Sequence, residues 1–93
     1  MPIKFEWDDR KAYSNKRKHG ITFEIAAKVF LDQHRIEIYD NLRSSYLEDR
    51  YITIGYAEEI IMVAYTIRKD RIRIISARLA DQDERRFYYD HLL

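Results

Sequence analysis

The chain has 93 residues, a single domain's worth, with 17 Lys+Arg against 16 Asp+Glu and a net charge of +1. About a quarter of it is Ile, Leu, Val and Phe, enough for a small core and too much for intrinsic disorder. With no cysteine there is no disulfide framework, thiolate metal site or cysteine nucleophile, and two glycines are too few for a phosphate-cradling loop. The three histidines, His19, His34 and His91, match no metal spacing. No apolar run is long enough to cross a bilayer, and Met1 to Glu6 shows no secretory h-region. The expectation is one cytoplasmic domain over residues 1–93 that needs no cofactor and no metal and meets no membrane.

Ile3-Lys4-Phe5-Glu6-Trp7 alternates apolar with polar and predicts a short strand. Asp8 can cap a following helix, with Trp7 packing against Ala12 as a staple. That helix would end in basic Lys16-Arg17-Lys18-His19, with Gly20 in the left-handed position after it. Thr22 can cap a second helix, whose Phe23, Ala26, Ala27 and Phe30 fall on one face. The period then changes. Residues 35–39 and 50–56 alternate as strands, 60–67 is a continuous apolar strand, and 71–78 is another. Glu58-Glu59 and Lys69-Asp70 fall where hairpin turns are needed, without the Asn or Gly such turns prefer. Asp81 and Glu84 have the spacing of a capping box before a last helix, with Phe87, Tyr88, His91 and Leu92 able to face inward. The order predicts an α+β domain with helices stacked on one sheet face and the other open for a ligand.

Arginines outnumber lysines, and tyrosine is abundant at eight residues. Both suit contact surfaces, since guanidinium forks onto phosphate and phenol offers a stacking face. Arg71 and Arg73 share one face of the last strand, and the double Ile74-Ile75 permits a bulge that re-aims Ser76 and Arg78. Arginines on an open sheet face, with Tyr51, Tyr56 and Tyr65 on neighbouring strands, suit single-stranded nucleic acid. The same arginines can equally form a surface ladder with cross-strand acids. His19 is either a helix-end cap or a general acid–base for phosphodiester chemistry, because imidazole titrates near neutrality. Ser76 has no glycine elbow and is a poor nucleophile candidate.

The residues resemble a known family. Phe5-Glu6-Trp7-Asp8, Lys11, Asn15, Lys18-His19-Gly20 and Phe23 resemble the opening motif of the BrnT toxins. Arg50, Gly55, Val63, Tyr65-Thr66, the run Ile72 to Arg78, Ala80, Glu84-Arg85 and Tyr88-Tyr89 resemble its second block, in the same order. Asp9 stands where the family often has Pro, and Ile25 where it often has a second Glu, which bears on capping more than on chemistry. The resemblance implies a RelE-like fold: an antiparallel sheet, two N-terminal helices packed on one face and a C-terminal helix.

It also implies a ribonuclease toxin of a type II toxin–antitoxin pair that inhibits translation without a metal. The implied substrate is RNA. The implied partner is a BrnA-like antitoxin with a ribbon-helix-helix region, through which alone the toxin would meet operator DNA, in a dimeric or heterotetrameric complex. For such cleavage Arg73 and Arg78 are the candidates to stabilise the phosphorane, and Arg50 to position the phosphate. His19 is the first choice for the proton step, assisted by Tyr88 or Tyr89, of which one packs and the other points out. Lys18, Arg71 and Tyr65 are candidates for RNA binding. The alternatives are a non-catalytic module of the same fold that binds RNA or antitoxin, and a plain RNA-binding domain.

Overall fold

Each boundary in the fold has a local cause. In the computed structural model, which describes residues 3–92, strand β1 is Lys4–Glu6. The Asp8 carboxylate accepts the backbone N–H groups of Lys11 and Arg10, which hold it below its ordinary pKa, and so starts helix α1, Asp9–His19. Gly20, at φ 73°, closes α1 by donating its N–H to the Lys16 carbonyl. Thr22 Oγ1 accepts the Ile25 N–H and starts α2, Phe23–Lys28. This helix tightens into a 3-10 turn at Val29–Leu31. The tighter turn rotates the face read from the sequence, so Val29 joins Phe23, Ala26 and Phe30 in the core while Ala27 stays half-buried.

Four longer elements complete the sheet: β2 (Ile36–Tyr39), β3 (Arg50–Ala57), β4 (Glu59–Arg68) and β5 (Arg71–Leu79). The two hairpin turns hold Glu58 at φ 67° and Lys69 at φ 58°, a region that favours glycine. Helix α3, Gln82–Asp90, opens with the predicted capping box between Asp81 and Glu84.

The sheet order is β1-β5-β4-β3-β2. It is mixed rather than antiparallel throughout: β1 runs parallel to β5, with Lys4 opposite Arg71 and Glu6 opposite Arg73. The intervening chain is long enough for the crossover that a parallel pair requires.

The helices do not all sit on one face. Phe23, Ala26, Val29 and Phe30 pack with Ile61, Val63, Tyr65, Ile74 and Ala77 in the main core. Tyr88 of α3 packs with Ile54, Ile60 and Met62, which alternate with that set along the strands and belong to the opposite face. Only Tyr88 of α3 points in. Phe87, His91 and Leu92, which the sequence allowed to face inward, are exposed, because the short helix touches the sheet along one row and Phe87 meets the His91 ring edge-on instead. Where the 3-10 turn meets the sheet, β3 needs a glycine: a Cβ on Gly55 would lie 2.7 Å from Val29 Cγ1.

Candidate active site

The site is made by a single irregularity. Opposite Ala64 and Tyr65 of β4 stand Ser76 and Ile74 of β5, so Ile75 is the extra residue of a β-bulge. Without it, strict alternation would put Arg71 and Arg73 on one face and Arg78 on the other. With it, Ser76 faces with Ala64 and Arg78 with Met62, on the side of Arg71 and Arg73 and away from α1 and α2. The bulge read from Ile74-Ile75 therefore re-aims Ser76 and Arg78 as expected.

On this face lies a cleft of about 390 Å³. Ile52, Met62, Ala64 and Ser76 form its floor, His19 approaches from the end of α1, and Asp40 and Arg43 stand on the β2–β3 connection. Arg50 and Arg78 complete the lining. Three of the predicted catalytic residues, His19, Arg50 and Arg78, thus come from the first helix, the third strand and the fifth strand to one hollow.

The arginines are held by carboxylates. Arg78 forks onto Glu84, Nη1 to Oε1 at 2.7 Å and Nη2 to Oε2 at 3.0 Å, and this bond lifts its pKa further above the ordinary value. Arg50 Nε donates to Glu48 Oε1 at 3.0 Å, and Arg68 donates to the other oxygen of Glu48 at 3.1 Å. Those two bonds, Arg68's first, hold the Glu48 carboxyl below its ordinary pKa. Arg73 Nη1 donates to Glu6 Oε2 at 2.9 Å, outside the cleft lining. Arg71 is exposed, its Nε 3.9 Å from Asp70. Among the described residues, only Arg73–Glu6 of the expected cross-strand ladder joins two strands; Arg78 and Arg50, which line the cleft, are oriented instead by acids of α3 and of the loop before β3.

The tyrosines depart from expectation. Tyr65 is 3% exposed, packed edge-on to Phe30 and stacked on Tyr51, on the face that α2 covers. No base can stack on it there, so its assignment to RNA binding is withdrawn. Burial pushes its phenol pKa up, and the Glu37 carboxylate adds to the effect. Tyr88 is the packed member of its pair and Tyr89 the outward one. Tyr88 Oη donates to Asp32 Oδ2 at 2.5 Å, and burial together with that bond pushes its pKa up to about 12. It lies outside the cleft and is spoken for. Tyr89 lines a separate hollow with Tyr56 and Arg85. Lys18 lies beside His19 in a groove along α1.

A model of the family described as "Ribonuclease toxin, BrnT, of type II toxin-antitoxin system" matches residues 7–84. The chain belongs to the BrnT family. The crystal structure of the Brucella abortus ribonuclease toxin BrnT is similar at 27% identity with a TM-score of 0.65, over 87% of this chain and 100% of that one. Among curated proteins nothing matches. The stretch matched by the BrnT model holds His19, Arg50 and Arg78 and ends on Glu84, before Tyr88 and Tyr89.

Three residues of this BrnT chain escaped the sequence reading, and a fourth was read only in part. Asp40 and Arg43 line the cleft, yet they sit in a loop without periodicity. Glu84 was legible as a cap, and its second role on Arg78 depends on the bulge. Asp32 accepts from both Tyr88 and the Tyr56 N–H, the latter at 2.9 Å, joining α3 to β3 beyond the end of β2. Burial by itself would raise its carboxyl, but the bonds from Tyr88, Tyr56 and His34 outweigh it and hold the pKa below the ordinary value.

Proposed function

We propose that this chain is a metal-independent endoribonuclease of RelE-like fold, with residues 1–93 acting as one toxin domain. Membership of the BrnT family supports the ribonuclease class, and a type II toxin implies an RNA substrate and an antitoxin. The observation that carries the catalytic assignment is that His19, Arg50 and Arg78 line one cleft.

In this reading the 2′-hydroxyl of the RNA attacks the adjacent phosphorus. The imidazole of His19 takes the hydroxyl proton. The bond from phosphorus to the 5′ oxygen breaks, that oxygen takes a proton from water in the open cleft, and the hydroxide left behind takes the proton held on His19. The products are a cyclic phosphate and a free 5′-hydroxyl. Arg78 stabilises the charge on the phosphorane, and Arg50 positions the phosphate from β3. Two guanidinium groups supply the positive charge that the step needs, so the reaction requires no metal ion. Arg73 and Arg71 meet flanking phosphates farther along the same face, and Lys18 does so beside His19. Tyr88 stays protonated on Asp32, and neither it nor Tyr89 takes the proton step.

Cleavage of RNA is the route by which the toxin inhibits translation. The antitoxin is a BrnA-like ribbon-helix-helix protein, in a dimeric or heterotetrameric complex that reaches operator DNA through the antitoxin alone. Seated over the arginine face, it would inhibit by keeping RNA out. A non-catalytic binding module is the second reading. One observation favours it: Arg50 and Arg78 already pair with carboxylates, which a phosphate must share.

The deciding experiment is RNA cleavage by purified protein in EDTA, comparing wild type with His19→Ala and Arg78→Ala of verified fold. Cleavage by wild type, lost in both variants, is the expected result. Cleavage abolished by EDTA would end the metal-free mechanism. Cleavage retained in His19→Ala would reduce His19 to a helix cap. Binding of RNA without cleavage by wild type would favour the module.

A further inference from the structure

Beside α1 runs a second hollow that shares His19, Ile75 and Ser76 with the cleft and continues it along Arg10, Lys11, Ser14 and Lys18. We propose that this groove is an additional RNA subsite, which grips the phosphates of single-stranded RNA flanking the scissile position. The proposal rests on the ribonuclease reading above and extends it from Lys18 and His19 to Arg10, Lys11 and Ser14, which that reading does not use.

Helical spacing makes the groove wall a stripe. Arg10, Ser14 and Lys18 follow one another at four-residue intervals, with Lys11 and His19 alongside, over about 12 Å of helix axis. The stripe therefore leads to the catalytic histidine rather than past it.

Its charge is available. Among the described residues Arg10, Lys11 and Lys18 form no ion pair, while the arginines of the sheet face are paired. No carboxylate lines the groove. The nearby Asp8 carboxylate is turned to the helix start, where it accepts backbone N–H groups. Unpaired cations in a row hold a polyanion by releasing its counterions, without reading its bases.

The wall is also rigid. Asn15, buried on the same helix, donates to the carbonyls of Ala77 at 2.8 Å and Ile21 at 3.0 Å, and accepts the Ala77 N–H at 3.0 Å. Ala77 lies on β5 beyond its pairing with β1, so the Asn15 amide fills an otherwise open strand edge. This bond fixes α1 to the strand two residues past the bulge, at the mouth joining groove and cleft.

The test uses 2′-O-methyl RNA, which cannot be cut by its own 2′-oxygen. Affinity is read by fluorescence anisotropy for a dinucleotide and for a long single strand across a salt series. The variants are Arg10→Ala with Lys11→Ala, both at exposed positions, and separately Ser14→Glu, which sets an acid in the groove. For the double variant we expect a loss of roughly tenfold or more on the long strand at low salt, exceeding the loss on the dinucleotide. The slope of log affinity against log salt should fall by about 1.4. Ser14→Glu should weaken the long strand in the same selective way. Unchanged affinity and slope in the double variant would overturn the proposal, as would an equal loss on both lengths. Loss of antitoxin affinity with RNA affinity unchanged would assign the groove to the protein partner and also overturn it. Because the probe is not cleaved, a wild type that fails to cut RNA strikes the catalytic reading while the groove is still measured.

Discussion

Helix α1 and strand β5 are both rich in cations and deploy them in opposite ways. On β5, Arg78 forks onto Glu84 and Arg73 donates a single hydrogen bond to Glu6, each guanidinium fixed by a carboxylate from another element. On α1, Arg10, Lys11 and Lys18 form no ion pair among the described residues, and Arg17 lies 5.9 Å from the Tyr13 ring. A paired arginine gives up part of its long-range attraction and gains a defined direction. An unpaired lysine keeps its reach and stays flexible. Capture of a polyanion needs the second kind, and stabilising charge that appears only in a transition state needs the first. His19, the last residue of α1, stands where the two regions meet.

The largest effect should come from that junction. His19→Ala is expected to slow RNA cleavage by about 100- to 10,000-fold, the range for loss of a positioned proton-transfer group. Chemical rescue checks the role: imidazole added to the buffer should restore part of the activity of the variant. If added imidazole restored nothing while the variant stayed folded, His19 would act by holding α1 rather than by moving a proton.

Arg78→Ala follows, with an expected loss of about 100- to 1000-fold in kcat. Arg73→Ala should cost much less, because its guanidinium is turned to Glu6 and does not line the cleft. Single-turnover kinetics on one RNA substrate separates the two. Equal losses would mean that the two acid partners, Glu84 and Glu6, do not divide a catalytic from a flanking arginine.

That division shows what a sequence can and cannot carry. Local signals were legible: Asp8, Thr22 and Asp81 cap as read, Gly20 takes the left-handed position, and the double isoleucine does bulge. The cleft also brings together His19, Arg50 and Arg78, which the family resemblance had grouped. Tyr65 failed because the run from Ile60 to Ile67 is apolar at nearly every step, so no alternation marks its face. Tyr88 and Tyr89 were undecidable because neighbours on a helix differ by about 100° and the short α3 has no long stripe to orient it. The parallel pairing of β1 with β5 and the pairing of Arg73 with Glu6 join positions far apart in sequence, which no local pattern encodes.

The clamp at the opposite edge tests whether Arg78 depends on α3. Tyr88→Phe leaves Asp32 short of its hydroxyl donor and should cost about 1.5–3 kcal/mol of stability, as for a hydrogen bond to a charged group. The Asp32 pKa is depressed, so its contribution is present above the ordinary 3.8 and lost as pH falls through its folded value. The Tyr88 pKa is raised, so its contribution is present below the ordinary 10.0 and lost as pH rises through about 12. Urea melts of wild type and Tyr88→Phe should therefore differ most near neutral pH and converge toward both extremes. Since α3 also carries Glu84, RNA cleavage by Tyr88→Phe should fall with its stability, while its salt-dependent RNA affinity, set by α1, should hold. A difference in stability that persisted unchanged at acid and alkaline pH would remove the Asp32–Tyr88 bond as its cause.

The smallest effect is expected at Arg71. It shares a face with Arg73 and Arg78, yet it stands at the far end of β5, about 20 Å of strand from Arg78. Its contact with Asp70 is long, and both side chains are more than half exposed. Such a pair contributes between nothing and about 1 kcal/mol. Arg71→Ala should therefore leave the unfolding midpoint nearly unchanged and leave kcat alone. In RNA binding it should act as one flanking phosphate contact, lowering the salt slope by about 0.7 for a single strand. A drop in kcat would place the reacting phosphate farther along the sheet than the cleft at Arg78. No change in salt slope would confine RNA to that cleft and to whatever α1 adds beside it.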